Sequence, residues 1–166
     1  MFVDFENLPG DAKIWIYAGN KRFTGNQREW MSEALQEFLE KWTSHGNDLK
    51  SGFKVLYDQI LVIGLDENAA DASGCSIDAS VHFIKEIGEH LEVNFFNRNL
   101  VPFLHINNLT LVNLNSLKTK IANGEITGES TIFNTLLAKK SDLNQSVIPL
   151  KDSWLNRYLK NEEIST

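Results

Sequence analysis

Cys75 is the side chain in this sequence best suited to nucleophilic or redox chemistry. It is the chain's single cysteine, and it falls in the first turn of a helix predicted over residues 73–91. The positive end of a helix dipole stabilises a thiolate, which is the reactive form of cysteine. Asp71 and Asp78 lie nearby in sequence and would oppose that charge. The position is equally typical of a small structural residue at the start of a helix.

Ionisable residues follow Cys75 along the same helix at four-residue spacing: Asp78, His82, Glu86 and His90. Cys75, Asp78 and His82 are therefore the candidate catalytic residues. Cys75 and His82 share a helix face, but seven residues of helix separate them by roughly 10 Å along the axis. That separation is too long for a direct hydrogen bond, so a base for Cys75 would have to come from outside this helix.

The same row could offer a metal ion two imidazoles and a carboxylate, from His82, Glu86 and His90. Each step of four residues rotates the side chain by about 40°, so the outer pair diverges by about 80°. One ion could not be shared without ligands from a second element. We therefore predict no metal site, and a solvated helix face with charge pairs explains the row.

Other chemistry-bearing patterns are weaker. Asp66, Glu67 and Asp71 form an acidic loop in which solvated carboxylates are the ordinary interpretation. No segment has the glycine-rich loop ending in Gly-Lys-Ser or Gly-Lys-Thr that binds phosphates. The sequence thus excludes ATP hydrolysis by the P-loop route, and we predict no cofactor.

Periodicity in the first half predicts strands and helices in alternation. A strand is expected at residues 13–17, two more at 53–57 and 60–65 joined at Asp58-Gln59, and helices over residues 24–46 and 73–91. Thr24 and Gln27 have the spacing of a capping box, and His45-Gly46 is a plausible helix end. Apolar residues on one face of the second helix are Ile77, Val81, Ile84, Ile87 and Leu91.

The second half predicts a hairpin, a short helix and a further strand. Residues 100–106 and 109–112 read as strands across Asn107-Asn108, with Pro102 indicating an edge position. A helix at 116–123 and a strand at 131–133 follow. The order strand, helix, strand, strand, helix, strand predicts a ferredoxin-like antiparallel α/β sandwich in residues 1–96. Residues 97–150 form a small α+β module, and 151–166 a C-terminal docking tail.

The composition of the chain limits the cellular compartment and the classes of partner that we expect. The 166 residues are 42% hydrophobic and 23% charged, as in folded globular proteins. A net charge of −6 argues against a broad nucleic-acid-binding surface. The start of the chain has no signal-peptide pattern, no segment has the length of a membrane span, and one cysteine suits a reducing compartment. We therefore expect a cytoplasmic protein with no membrane insertion.

Five segments carry a family resemblance: residues 13–17, 42–46, 133–134, 153–155 and above all 73–84, Ser-Gly-Cys-Ser-Ile-Asp-Ala-Ser-Val-His-Phe-Ile. On these the chain resembles, almost end to end, a family of short bacterial proteins often labelled ABC transporter ATPases. The resemblance implies no known activity. The phosphate loop and the Leu-Ser-Gly-Gly-Gln signature of such ATPases are both missing from the sequence, so the label is not carried over.

Residues 117–127 and 131–133 are similar to the bacterial variant of GYF domains. That resemblance implies a small GYF-like module that binds proline-rich segments on aromatic side chains. The Gly-Tyr-Phe signature itself is absent, and Phe133 stands where a tryptophan is usual. We accordingly predict a non-enzymatic protein-interaction or adaptor module that binds another protein or a peptide through Phe133, Trp154 and Tyr158. The alternative is a thiol-dependent enzyme or redox sensor that uses Cys75.

Overall fold

Helices and antiparallel sheets make up the chain, which confirms the mixed α+β class. The computed structural model describes residues 1–163, with side chains through residue 159. Two compact units are present: unit 1 contains residues 1–96 and 136–144, and unit 2 contains residues 97–135 and the described residues from 145 onward. Residues 164–166 of the predicted docking tail lie outside the described part.

Unit 1 contains a three-stranded sheet, two long helices and a small hairpin. Its elements are β1 (Lys13–Ala18), α1 (Gly25–Lys41), β2 (Thr43–Ser44), β3 (Asn47–Asp48), β4 (Ser51–Leu56), β5 (Ile60–Leu65) and α2 (Gly74–Leu91). The sheet order is β1-β5-β4, with antiparallel neighbours, and β2 pairs with β3. The predicted strands and both predicted helices of this half are confirmed.

Two boundaries differ from the prediction. Helix α1 ends at Lys41, because Trp42 has an extended backbone and Thr43–Ser44 form β2. His45 and Gly46 have positive φ angles and form the β2–β3 turn, so they are not the end of the helix. The β4–β5 turn lies at Tyr57-Asp58, where both residues also have positive φ, one position before the predicted turn. The positions of both turns were hard to predict because residues other than glycine adopt the positive φ angles that these turns require.

The core of unit 1 lies between the sheet and the two helices. Met31, Leu35 and Leu39 of α1 and Ile84, Ile87 and Leu91 of α2 pack against β5 and its neighbours. The buried face of α2 also includes Ser76 and Ser80, whereas the predicted Ile77 and Val81 are only half-buried. The serine hydroxyls donate to helix carbonyls at 2.8 Å for Ser76 and 2.7 Å for Ser80, which makes their burial tolerable.

The other face of this sheet is covered by the N-terminal segment. All six residues of β5 are buried, because the helices cover one face and residues 3–8 lie against the opposite one. Phe5 and Leu8 are the buried apolar side chains of that segment. Lys140 holds the segment by donating to the carbonyl oxygens of Glu6 and Leu8. Nothing in the apolar pattern of residues 1–12 predicted this layer.

The fourth strand of the predicted ferredoxin-like sheet is absent from unit 1. The predicted element order takes this strand from residues 100–106, but residues 100–105 belong to the sheet of unit 2. The edge of β1 instead contacts residues 138–140: Ile14 donates its N–H to the Ala138 oxygen at 2.9 Å, and Lys140 donates to the Ala12 oxygen at 2.9 Å. A segment remote in sequence thus satisfies the backbone groups of this edge.

Unit 2 has a four-stranded antiparallel sheet in the order β7-β6-β8-β9. Its elements are β6 (Leu100–His105), β7 (Asn108–Asn113), α3 (Leu114–Ala122), β8 (Thr131–Phe133), β9 (Val147–Pro149) and α4 (Asn156–Glu163). Leu117 and Ile121 of α3 pack in one core with Val101, Val112 and Ile132 of the sheet. The predicted hairpin, helix and strand are confirmed.

Two details of the hairpin differ from the prediction. Ile106 and Asn107, both with positive φ, form the β6–β7 turn, one residue before the expected Asn107-Asn108. Strand β6 lies between β7 and β8, so Pro102 is in a central strand and not at an edge. It is tolerated because the ladder with β8 is short: the pairing includes Phe103 and Leu104 but not Pro102.

Candidate functional site

Cys75 lies where the sequence placed it, in the first turn of α2, and its side chain is exposed. Ser73 and Ser76 form a reciprocal capping box around it, so the helix start is fixed by its own side chains. Within the described residues, the Cys75 thiol makes no hydrogen bond. The arrangement makes the thiol reachable for a reagent, but it supplies no base.

Asp78 and His82 are also exposed and are not brought together with Cys75 into a catalytic arrangement. The His82 Nε2 atom lies 3.1 Å from Glu86 Oε1, one helical turn further on. Across residues 1–163, no group of three or more histidine, cysteine, aspartate or glutamate side chains could hold a metal ion. The row is thus an exposed helix face on which His82 contacts Glu86 and His90 stacks on Trp30.

Phe133 is not an accessible docking residue. It is the last residue of β8 and is only 1% exposed. The prediction that a partner contacts this ring directly is therefore wrong. The segment Thr-Ile-Phe is apolar at two adjacent positions, and the sequence alone does not tell which faces of a short strand are covered.

Trp154 and Tyr158 form an aromatic cluster with Arg157, a residue that the sequence analysis did not single out. We call these three residues the Trp154 cluster. The Arg157 guanidinium lies 5.5 Å from the Trp154 ring centre and 5.1 Å from that of Tyr158, both within cation–π range. Arg157 Nη2 also donates to the Tyr158 hydroxyl at 3.3 Å. Trp154 is 41% exposed, whereas Tyr158 is half-buried.

The chain turns Trp154 outward by anchoring the residues on either side. Leu155 is fully buried in the core of unit 2, and Tyr158 packs against the same core. Ser153 accepts from the Leu155 N–H at 3.1 Å and donates to the Leu150 oxygen at 2.7 Å, which fixes the backbone at this point. Because Leu155 faces the core, the preceding indole lies on the solvent side of a rigid support.

A second aromatic surface lies between α1 and α2. The rings of Phe38 and Phe83 stack with centres 4.3 Å apart and an interplanar angle of 7°. Further along the same helices, Trp30 stacks on His90 at 3.8 Å. The sequence analysis gave no role to Phe83 or Trp30. Spacing within each helix could not have paired them, because the contacts are between helices.

Three side chains in the two units have pKa values shifted from their ordinary range: Tyr17, Glu6 and Lys151. Burial raises the pKa of the Tyr17 hydroxyl, against a smaller opposing effect of its hydrogen bond with Ser80. A hydrogen bond with Lys54 lowers the pKa of Glu6 on the N-terminal layer. In unit 2, a hydrogen bond with Glu129, strengthened by the opposite charges of the two side chains, raises the pKa of Lys151.

Comparisons with known proteins add no family: no protein-family model, curated protein or solved structure matches the chain. The two resemblances drawn from residues 73–84 and 117–133 therefore stay predictions. Among residues 1–163, no helix combines the length and the apolar character that crossing a bilayer requires.

Proposed function

We propose that this chain is a non-enzymatic protein-interaction module that binds a proline-rich segment of a partner protein at the Trp154 cluster. The observation that carries the proposal is the exposed indole of Trp154, held on a buried anchor beside Tyr158 and Arg157. Large aromatic side chains supply much contact area with little ordering cost, which is why they concentrate at binding surfaces.

A proline-rich segment fits this surface chemically. Such segments adopt the polyproline II conformation before binding and dock on neighbouring aromatic rings, with hydrogen-bond donors directed at their free carbonyl groups. Tryptophan and tyrosine rings and a guanidinium group are the required elements, and the Trp154 cluster has one of each. The proposed GYF-like character of unit 2 agrees with this ligand.

The chain offers a direct test because its four tryptophans give four indole N–H signals in a nitrogen-15 NMR spectrum. Trp154→Phe assigns one signal by its loss. We expect titration with a polyproline peptide of about ten residues to shift the Trp154 signal saturably, with a dissociation constant in the micromolar to millimolar range.

Trp30 supplies a matched control, since it is 36% exposed in unit 1 while Trp154 is 41% exposed. Trp154→Ala should abolish the binding and Trp30→Ala should leave it intact. A Trp154 signal that does not move, or binding that survives Trp154→Ala, would contradict the proposal. Phe133→Ala is unsuitable as a probe of docking because it removes a buried ring.

The exposed thiol of Cys75 favours a second candidate, a thiol-dependent enzyme or redox sensor. Its discriminating measurement is the rate of labelling by a small thiol reagent as a function of pH. A rate that is already maximal at about pH 6 would favour this candidate, because the thiolate is the reacting form. A rate that rises up to about pH 9 would leave Cys75 as an ordinary surface residue.

A further inference from the structure

Strand β7 is an edge strand with an open row of backbone groups. It pairs with β6 over all six of its residues, from His105↔Asn108 at the turn to Leu100↔Asn113. A two-residue turn makes the pair His105 and Asn108 hydrogen-bonded, so the pairs alternate and the N–H and C=O groups of Leu109 and Leu111 point away from β6. In the described part of the chain, no other strand pairs with that side of β7.

This edge lacks the features by which proteins block strand addition. Nearly a quarter of the chain's residues are charged, yet no aspartate, glutamate, lysine or arginine occurs from residue 99 to residue 117. Strand β7 itself, Asn-Leu-Thr-Leu-Val-Asn, contains neither proline nor glycine. Exposed edges are normally protected by charges, proline or bulges, so an uncharged and regular edge is suited to accept another strand.

The turn beside this edge carries an apolar side chain under backbone strain. Ile106 is 82% exposed, and its φ angle of 47° lies in the left-handed region. A β-branched residue in that region costs on the order of 1–2 kcal/mol, and asparagine or glycine would avoid most of the cost. Within the described part of the chain, no contact of the Ile106 side chain offsets the free-energy cost of this backbone strain or of the exposed apolar surface.

We propose that a second copy of this chain pairs with β7 along its open edge, in an antiparallel arrangement whose two-fold axis passes through Thr110. Each Thr110 then faces the partner's Thr110, and Leu109 pairs with the partner's Leu111 through both backbone hydrogen bonds. The two four-stranded sheets of unit 2 become one continuous sheet.

Self-pairing fits this strand better than a foreign strand for two reasons. With no charged residue on β7, two copies meet without like-charge repulsion in spite of a net charge of −6 per chain. The same register carries Ile106 past the end of the opposing strand to the position of the partner's Leu114, a half-buried apolar residue at the start of α3. The contact covers the exposed side chain at the turn.

The position of Thr110 on the axis makes a charge-swap experiment decisive. The Thr110 side chain is exposed, so Thr110→Lys and Thr110→Glu should fold normally, as circular dichroism would verify. In a homodimer each variant would place two like charges directly opposite each other, and we expect dimerisation at least about tenfold weaker. An equimolar mixture of the two variants should recover the dimer, because lysine then faces glutamate.

Analytical ultracentrifugation measures the outcome. We expect wild type at twice the 18.9 kDa chain mass, and Thr119→Lys, an exposed threonine on α3, to behave like wild type. Hydrogen exchange should show the Leu109 and Leu111 amides protected only at concentrations where the dimer forms. A wild-type monomer at about 100 µM, a dimer unaffected by Thr110→Lys, or a mixture that stays monomeric would each overturn the proposal. Growth beyond the dimer would do so as well, because pairing consumes the open edge.

Discussion

Replacing Gly52 by alanine should loosen the N-terminal layer of unit 1. Gly52 and Gly64 face each other across β4 and β5, and residues 3–8 pass directly over them. A Cβ atom at position 52 would lie 2.5 Å from the Val3 oxygen and 3.1 Å from the Phe5 Cα, which are backbone atoms. A Cβ atom at position 64 would lie 2.7 Å from the Leu8 Cδ1 and 2.9 Å from the Phe5 Cε2, which are both side-chain atoms.

The expected loss in the free energy of unfolding depends on which atoms must move to make room for the added methyl group. Overpacking a core position costs about 1–3 kcal/mol, and full release of the layer would expose Phe5 and Leu8 at about 1.5–3 kcal/mol each. The backbone clash cannot be relieved by a rotamer change, so we expect Gly52→Ala to lower the free energy of unfolding by about 2–4 kcal/mol. Gly64→Ala should cost less, about 1–2 kcal/mol, because the atoms in its way belong to the side chains of Leu8 and Phe5, which can adjust where a backbone cannot.

Urea denaturation followed by tryptophan fluorescence provides the assay, with Gly25→Ala as the control. No atom lies within 4 Å of a Cβ built at Gly25, so that change should be neutral or slightly stabilising. Combining Gly64→Ala with Leu8→Ala should cost less than the sum of the two, since the second change removes the nearer of the two clashing side chains and leaves only the Phe5 ring. If Gly52→Ala matches Gly25→Ala to within about 0.5 kcal/mol, the N-terminal segment does not lie on this sheet.

Phe133→Ala should lower the free energy of unfolding by about 3–5 kcal/mol because the ring is buried, and Trp154→Ala by less than about 1 kcal/mol; urea titrations that rank them otherwise would contradict the assigned burial. The raised pKa of Tyr17 means that its contribution is complete below about pH 10 and is lost as the pH rises through the folded-state pKa. The stability of Tyr17→Phe should therefore fall less than that of wild type between about pH 9 and 11. Native Cys75 should react with a small maleimide within about tenfold of the unfolded rate, and a slow reaction would show that the thiol is protected.

The sequence by itself determined the elements whose signals are local. The capping box of Thr24 and Gln27 starts α1 as predicted, with reciprocal hydrogen bonds of 3.1 Å and 3.0 Å. Strand β1, both long helices and the β6–β7 hairpin were likewise predictable, because propensity, capping and periodicity act over a few neighbouring residues. For the candidate site, the local aromatic pattern was enough to propose Trp154 and Tyr158, whose part in binding stays a prediction.

The tertiary structure decided which elements pair and which side chains are covered. The residue pattern of β6 is compatible with the sheet of unit 1 and with that of unit 2, because the pattern of a strand does not specify which strand it pairs with. The same limit applies to the apolar residues of the N-terminal layer and to Phe133, because burial depends on what crosses the strand from elsewhere in the chain. It also explains why Arg157 and Phe83 were missed: their aromatic contacts form only when the chain folds.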